Sequence, residues 1–276
     1  MELNDVTFFY IAFIFYFVSM LFFFLYPALK TRFIAQLASW LLYLGIIPHT
    51  IAIIYRWKLA GHSPYSNMYE YMSVMGWMAV LIFIFFNLKY KKPMIGVFVA
   101  PICFLLMGSA SLMPKEISQQ LMPALQSYWF EIHVSMAVLG EGAFVVAFGV
   151  SLMYLFKAWL SSGNPEPKKG SSLLPSLELL DLINYRAIAI GYPIFTIGAL
   201  FAGAIWANEA WGSFWSWDPK ETGALIVWLF YTGYLHARLV KGWKGSKAAW
   251  MSILGFVLAL ASFFGNLILG GDHAYL

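Results

Sequence analysis

The chain alternates between long apolar runs and short polar connections. A helix that crosses a bilayer needs about 20 mostly apolar residues, and eight runs reach or approach that length. We therefore predict an all-α, polytopic membrane helix bundle with about eight transmembrane helices, forming a single integral membrane domain over residues 1–276. The longest polar stretch, 161–176, is rich in Gly, Ser, Pro and Lys and is typical of a flexible linker. The predicted helices are 6–29, 33–55, 70–88, 94–113, 130–156, 187–206, 220–237 and 248–270.

Composition agrees with this pattern. The chain is 61% hydrophobic and 11% charged, with a mean hydropathy of +0.73, whereas soluble domains carry roughly 25% charged residues. The net charge of +4 comes from basic residues in short connections, so it predicts no nucleic-acid partner. The lone Cys103 excludes an internal disulfide and any Cys-x-x-Cys motif. The acidic N-terminus lacks the basic region of a cleaved signal peptide, so we expect the first apolar run to be retained.

Basic residues are distributed unequally between the two sets of connections. One set carries thirteen of the seventeen Lys and Arg residues, and the other carries only Arg56, Lys58, Lys115 and Lys220. Because basic loops stay on the cytoplasmic side, we predict that both termini are extracytoplasmic. The expected location is a bacterial plasma membrane, and a thylakoid membrane is compatible with the same pattern.

A tryptophan-rich segment, defined as residues 206–221, connects the sixth and seventh predicted helices. It contains Trp206, Trp211, Trp215 and Trp217. An aromatic belt at the membrane interface explains scattered tryptophans, but four so close together favour a surface that stacks against a large planar ligand. Trp211 and Trp215 are four residues apart and could share a helical face, and Gly212 leaves room for close approach.

The same segment ends in Asp218-Pro219-Lys220-Glu221. Asp is a good N-cap, Pro is favoured at the first helical position, and Glu three residues after the cap completes a capping box. These residues therefore have a structural interpretation as the start of the seventh helix. That interpretation leaves Lys220 unexplained, and a ligand-binding role for the segment stays open beside it.

Two histidines fall at the same predicted depth as the tryptophans. His133 lies near the external start of the fifth helix, and His273 follows the eighth. A histidine at a helix end is often a hydrogen-bonding residue, but neutral imidazole is also the usual axial ligand of haem iron. Met136, Ala137 and Gly140 lie on the same helical side as His133, so the surface there is partly small and could admit a flat ring.

The remaining ionisable residues within the predicted helices are less easily assigned. His236 lies fifteen residues after the start of the seventh helix, about 22 Å deeper at 1.5 Å per residue. It is either a functional group or a side chain that reaches the inner headgroups. We interpret His49 and His62 as structural, and Glu141 has no assigned role.

The combined motifs resemble the tryptophan-rich "WWD" signature of haem-handling membrane proteins. The resemblance is greatest to the CcsA/ResC family of cytochrome c biogenesis (System II), and it extends from the second helix to the C-terminus. The matching motifs are Gly61-His-x-Pro-x-Ser-Asn-x-Tyr-Glu70, Trp129-Phe-Glu-Ile-His133-Val, Trp211-Gly-Ser-Phe-Trp215-Ser-Trp217-Asp218-Pro219-Lys220-Glu221, Tyr234-Leu-His236-Ala-Arg238 and Gly-Asp-His273-Ala-Tyr.

The resemblance implies a function in haem handling. The tryptophan-rich segment would cradle haem b on the external face, with His133 and His273 as axial ligands and His236 at a second, deeper site. With a CcsB/ResB-type partner, the chain would export haem for attachment to the Cys-x-x-Cys-His motif of apocytochrome c. It would then be the haem-handling half of a cytochrome c synthetase. An alternative is a delivery protein that loads a haem chaperone without catalysing ligation. No residue of the chain is assigned as catalytic.

Overall fold

The computed structural model describes residues 4–161 and 173–269, with side chains up to residue 264. This part of the chain contains helices and no strands, as the apolar pattern predicts. The elements are α1 (Asp5–Leu29), α2 (Arg32–Ala60), α3 (Met68–Tyr90), a short 3-10 turn (Pro93–Ile95), α4 (Gly96–Leu112), a second 3-10 turn (Pro123–Leu125), α5 (Tyr128–Ser161), α6 (Leu177–Phe195), a π-helical turn (Thr196–Ala202), α7 (Gly203–Trp211), α8 (Pro219–Leu239) and α9 (Ser246–Leu269).

The eight predicted helices correspond to α1 to α5, the continuous α6–π turn–α7 unit, α8 and α9. Within the described residues, seven helical units are both long and apolar enough to cross a membrane. The eighth, α8, is less apolar, but its 21 residues extend about 31 Å, which matches the hydrocarbon thickness. The sixth unit begins at Leu177, ten residues before the predicted start, because the polar residues of its first turns are also helical.

The polar side chains of α8 account for its lower hydropathy. Three of them form hydrogen bonds to polar side chains of the α6 unit, so they are satisfied inside the bundle. Such bonds stabilise contacts between helices where water is absent. The pairs are Trp228 with Thr196 (3.0 Å), Thr232 with Tyr192 (2.7 Å) and Tyr234 with Asn184 (3.2 Å).

A buried ionic network ties together one end of the bundle. The Arg56 guanidinium on α2 donates to Asp5 of α1 (2.9 Å) and to Glu70 of α3 (2.7 Å). It also donates to the backbone carbonyls of Lys115 (3.0 Å) and Glu116 (2.6 Å) in the α4–α5 loop. Because removing one partner from a buried ion pair is strongly destabilising, this network fixes the loops at that end.

The opposite end is joined by a second ion pair. Arg238 near the end of α8 binds Asp181 of α6 (2.6 Å), which also accepts from the backbone N–H of Gly245 before α9 (2.8 Å). Lys157 of α5 donates to the carbonyl of Pro175 (2.7 Å). The connections thus alternate between the two ends as predicted. Which end faces the cytoplasm stays a prediction from the loop charges.

Candidate functional site

A narrow cavity lies between α3, α5, the π turn, α8, α9 and the tryptophan-rich segment. Its volume is about 60 Å³, which is room for about two water molecules at roughly 30 Å³ each. It gathers several polar side chains in the part of the bundle where α5 and α8 begin. Those that bear on the chemistry are Tyr71, His133, Glu141, Trp215, Lys220, Glu221 and Ser262.

His133 is held in one orientation at this cavity. Its Nδ1 lies 2.9 Å from the carbonyl oxygen of Gly198 in the π turn, so Nδ1 carries the proton and donates it. Its ring stacks on Trp206, with centroids 5.5 Å apart and planes 13° from parallel. The Nε2 atom has no hydrogen-bond partner among the described residues. Metal-binding histidines are arranged in this way, because a bond at one ring nitrogen orients the other.

Two glycines allow the π turn to approach α5 so closely. A Cβ at Gly198 would lie 2.5 Å from the backbone nitrogen of Ala137, and one at Gly203 would lie 2.9 Å from Nδ1 of His133. A Cβ at Gly198 would therefore collide with the backbone of α5, and one at Gly203 would displace the His133 ring. The expectation that small residues beside His133 leave space for a planar ring is wrong for Gly140, since Phe195 and Gly191 pack there.

The four tryptophans do not form one flat surface. Trp206 is 1% exposed, and its indole N–H donates to the carbonyl of Ala124 (2.7 Å). Trp211 meets it edge-on, at 66°, and Trp215 and Trp217 are also perpendicular to each other, at 88°. Trp206 is therefore a core residue that supports His133, and it does not belong to an exposed platform.

The helix break at Gly212 separates the remaining tryptophans. Gly212 adopts a left-handed conformation (φ 76°) and ends α7, so Trp211 and Trp215 cannot share a helical face. Trp215 lines the cavity, and its Nε1 is buried with no hydrogen-bond partner among the described residues. Trp217 is 70% exposed and also has a positive φ of 61°. Only these two indoles are presented on the loop between α7 and α8.

The start of α8 confirms most of the capping prediction. Asp218 is the N-cap and accepts from the backbone N–H of Lys220 (2.8 Å), and Pro219 takes the first helical position. Glu221 does not complete a capping box on Asp218. Its Oε2 instead accepts from the backbone N–H of Ser216 (2.8 Å), while Oε1 is buried and finds no hydrogen-bond donor in the described part of the chain.

Lys220 and Glu141 are the charged residues deeper in the cavity wall. The Lys220 ammonium lies 5.5 Å from the centre of the Tyr71 ring, and Tyr71 donates to the Glu141 carboxylate (3.0 Å). Lys220 and Glu141 both line the cavity, but no ion pair within 4 Å joins them. The structure thus gives Glu141, which the sequence left unassigned, a tyrosine partner inside the bundle.

The loop before α3 is hydrogen-bonded to the first turns of α5, which contain His133. Ser63 donates to Glu131 (2.7 Å), and the Tyr65 hydroxyl bonds to Ser135 (2.8 Å). Burial raises the pKa of the Tyr65 phenol, so it remains a neutral hydrogen-bonding group at physiological pH.

The other histidines that the structure describes lie away from the cavity. His49 is fully buried between Tyr16 (3.2 Å) and Ser73 (3.1 Å), and the His62 ring approaches the carbonyls of Ser63 and Ser118. Both arrangements agree with a structural interpretation. The His236 side chain is exposed on α8 and makes no hydrogen bond to the described residues. His273 lies outside the described residues.

Comparison with known proteins decides the family. The sequence profile described as "Cytochrome C assembly protein" matches residues 65–273. The chain belongs to this family. It is 39% identical over 233 residues to "Cytochrome c biogenesis protein CcsA" of Chlamydomonas reinhardtii, which covers 82% of the chain and 64% of that relative. It is 36% identical over 271 residues to the CcsA protein of Prochlorococcus marinus (strain MIT 9301), with 89% and 85% covered.

A solved structure shares the fold. "Cytochrome c Heme Lyase CcmF" superimposes with a TM-score of 0.69 and 14% sequence identity, over 97% of this chain and 50% of CcmF. The resemblance to CcsA-type cytochrome c biogenesis proteins is thus confirmed by sequence, and the helical membrane architecture is confirmed by structure. This family places the chain in cytochrome c assembly, with haem handling as the implied chemistry.

Several residues of the site were not identified from the sequence. Gly198 and Gly203 lie in an apolar run, where glycine is common, and no local signal marks the π turn. Tyr71 and Ser262 lie in other helices, and only the packing of α3 and α9 against α5 and α8 brings them to the cavity.

Proposed function

We propose that the chain binds haem b at the extracytoplasmic end of the bundle and, with a CcsB/ResB-type subunit, presents it for covalent attachment to apocytochrome c. Haem would first cross the membrane through the same pair of subunits, by way of a deeper site that includes His236. Membership of the cytochrome c assembly family supports the general role. The observation that supports this site is the fixed His133 ring, which lines the cavity together with Trp215 and whose Nε2 has no hydrogen-bond partner among the described residues.

The donor set fits haem. An imidazole oriented by a backbone carbonyl is a suitable axial ligand, and indole faces stack on flat rings. A cavity of about 60 Å³ does not accommodate a porphyrin with its walls as they stand. Binding would therefore require residues 212–218 to move away from α5. Most of this loop is exposed, so the movement would break few contacts.

The chemistry assigned to the chain is binding and orientation. The vinyl groups of haem and the cysteine thiols of the Cys-x-x-Cys-His motif supply the reacting atoms, so the cavity needs no nucleophile of its own. His133 would hold one axial position and His273 the other, while Trp211, Trp215 and Trp217 would contact the macrocycle. With both imidazoles bound, the iron would have no open position for oxygen, which would slow its oxidation by oxygen until attachment.

The axial assignment is tested by changing each histidine. We expect His133→Ala and His273→Ala each to abolish cytochrome c maturation and to convert the external haem from a low-spin to a high-spin absorption spectrum. His62→Ala is the matched control, because His62 lies in a loop at the same end but does not border the cavity. Trp215→Ala should retain less haem, with a low-spin spectrum in the haem that remains.

The outcomes separate the competing functions. Normal maturation and a low-spin external haem in both histidine variants would contradict the axial assignment. Coexpression of the wild-type chain with its partner and an apocytochrome should yield covalent cytochrome. A wild-type complex that binds haem without yielding covalent cytochrome would favour delivery to a haem chaperone. A purified protein with no haem spectrum would contradict both functions.

A further inference from the structure

We infer that the π-helical turn Thr196–Ala202 is a positioning device that fixes the tautomer and direction of the His133 imidazole, and that Gly203 is a positioning residue for this ligand. The inference deepens the proposed function, because it says how the chain prepares His133 for haem iron. It also makes a claim about the ligand-free protein, which is independent of haem.

The π turn provides an acceptor at the required place. In a π-helix the backbone bonds run from residue i to residue i+5, and here the N–H of Gly203 donates to the carbonyl of Gly198. The same carbonyl accepts from Nδ1 of His133 at 2.9 Å. A carbonyl can only accept, so Nδ1 must carry the proton and the lone pair of the neutral ring must be on Nε2.

Contacts on two other sides restrict the ring. Trp206 stacks on its face, and Gly203 touches its edge, where an added Cβ would lie 2.9 Å from Nδ1 and 3.0 Å from Cε1. Trp206 is itself held by its bond to the Ala124 carbonyl. The ring therefore cannot turn to present Nδ1 to the cavity without breaking a hydrogen bond and a stacking contact.

The turn is anchored from α8. The indole N–H of Trp228 donates to the hydroxyl of Thr196 (3.0 Å), which donates to the carbonyl of Tyr192 one turn earlier (2.7 Å). The first residue of the π turn is thus linked to a neighbouring helix. The π turn is thus bonded to α8 at one end and packed on α5 at Gly198. These contacts fix the position of the Gly198 carbonyl, which accepts from His133.

Gly203→Ala tests the device with little risk to the fold. The atoms that its Cβ would meet belong to the His133 ring, so the ring must shift while the backbone stays. Gly198→Ala would instead meet the backbone of α5 and is unsuitable. We expect Gly203→Ala to weaken haem binding on the order of ten- to a hundredfold, as for other lost orienting partners of metal ligands, and to raise the midpoint potential because Nε2 becomes a weaker donor.

A cycle of substitutions distinguishes positioning from a general structural effect. In a His133→Gly protein supplied with imidazole, the added ligand does not depend on the π turn, so Gly203→Ala should have no further effect on haem binding. An equal loss in both backgrounds would overturn the positioning role. Gly108→Ala is the control helix glycine, since a Cβ at Gly108 on α4 meets nothing within 4 Å, and it should leave affinity and potential unchanged.

A haem-free measurement separates this inference from the proposed function. Nitrogen NMR of histidine-labelled, ligand-free protein should show His133 as the Nδ1–H tautomer, assigned by its loss in His133→Ala. In Gly203→Ala we expect the Nδ1–H form of His133 to be no longer the major tautomer. An Nε2–H tautomer in the wild-type chain would overturn the inference even if haem binds. The Nδ1–H tautomer in a chain that binds no haem would support the device and contradict the proposed function.

Discussion

Trp206 and Trp217 belong to the same tryptophan-rich segment, but the structure predicts opposite effects when each is replaced. Trp206 is 1% exposed, stacks on His133 and donates a hydrogen bond to Ala124, whereas Trp217 is 70% exposed. Replacing a buried Trp by Ala costs about 3–5 kcal/mol, and exposed substitutions usually change stability by less than about 0.5 kcal/mol. We therefore expect Trp206→Ala to destabilise the ligand-free protein by several kcal/mol and Trp217→Ala to leave its stability nearly unchanged.

The measurement is equilibrium unfolding of ligand-free protein in mixed detergent micelles, followed by helical circular dichroism. Trp206→Phe is an informative intermediate, since it keeps one aromatic ring but loses the N–H donor, at a cost of roughly 0.5–1.5 kcal/mol, and part of the buried ring volume. Haem titration of the same proteins should rank them differently, with Trp217→Ala losing affinity despite its normal stability. If Trp206→Ala unfolds at the same denaturant concentration as Trp217→Ala, the assignment of Trp206 to the core is refuted.

Two further predictions concern the proposed deep haem site at His236 and the orientation of the chain in the membrane. His236→Gly should reduce the haem that copurifies with the partner complex, and added imidazole should restore function by filling the vacant ligand position; unchanged haem content would indicate that His236 only contacts headgroups. The second test introduces single cysteines at the exposed positions Ser213 and Lys244 in a Cys103→Ser background. They should react with impermeant reagents from opposite sides of the membrane, with position 213 extracytoplasmic. Labelling of both from one side would contradict the eight-helix arrangement.

Much of the fold could be predicted because hydropathy acts locally. A run of about 20 apolar residues must form a helix in a bilayer, since its backbone polar groups have no other partners. The pattern was less informative where polar residues pair with one another. The first turns of α6 carry Asp181, whose partner Arg238 lies in another helix, and α8 is less apolar because several of its polar groups bond to α6. Such pairings depend on tertiary structure and leave no periodic signal.

The site could be predicted only in part. The sequence selected His133 as a candidate ligand from its residue type and position, and the structure places it in the cavity wall. The cap formed by Asp218 was predicted correctly from local turn chemistry. It assigned Trp206 to a ligand surface because density alone does not distinguish a buried indole from an exposed one. The π turn around Gly198 could not be predicted, since it depends on how closely α5 and α6 pack. The burial of Trp206 and the form of the π turn both depend on how the helices pack together, which no single stretch of sequence determines.

The different settings of His133 and His236 bear on how the two proposed haem sites would work. His133 has one ring nitrogen committed to a carbonyl of its own chain, so its direction is set before any ligand arrives. His236 is exposed, and on the same outward face of α8 lie Leu229 and Gly233. A glycine on a lipid-facing helix surface permits close approach of another helix. Ligation at His236 would thus depend on a second subunit to orient the ring, whereas ligation at His133 would be prepared within the chain. Partner loss should accordingly weaken the deep site first, which agrees with a partner-dependent passage of haem towards a site that the chain itself arranges.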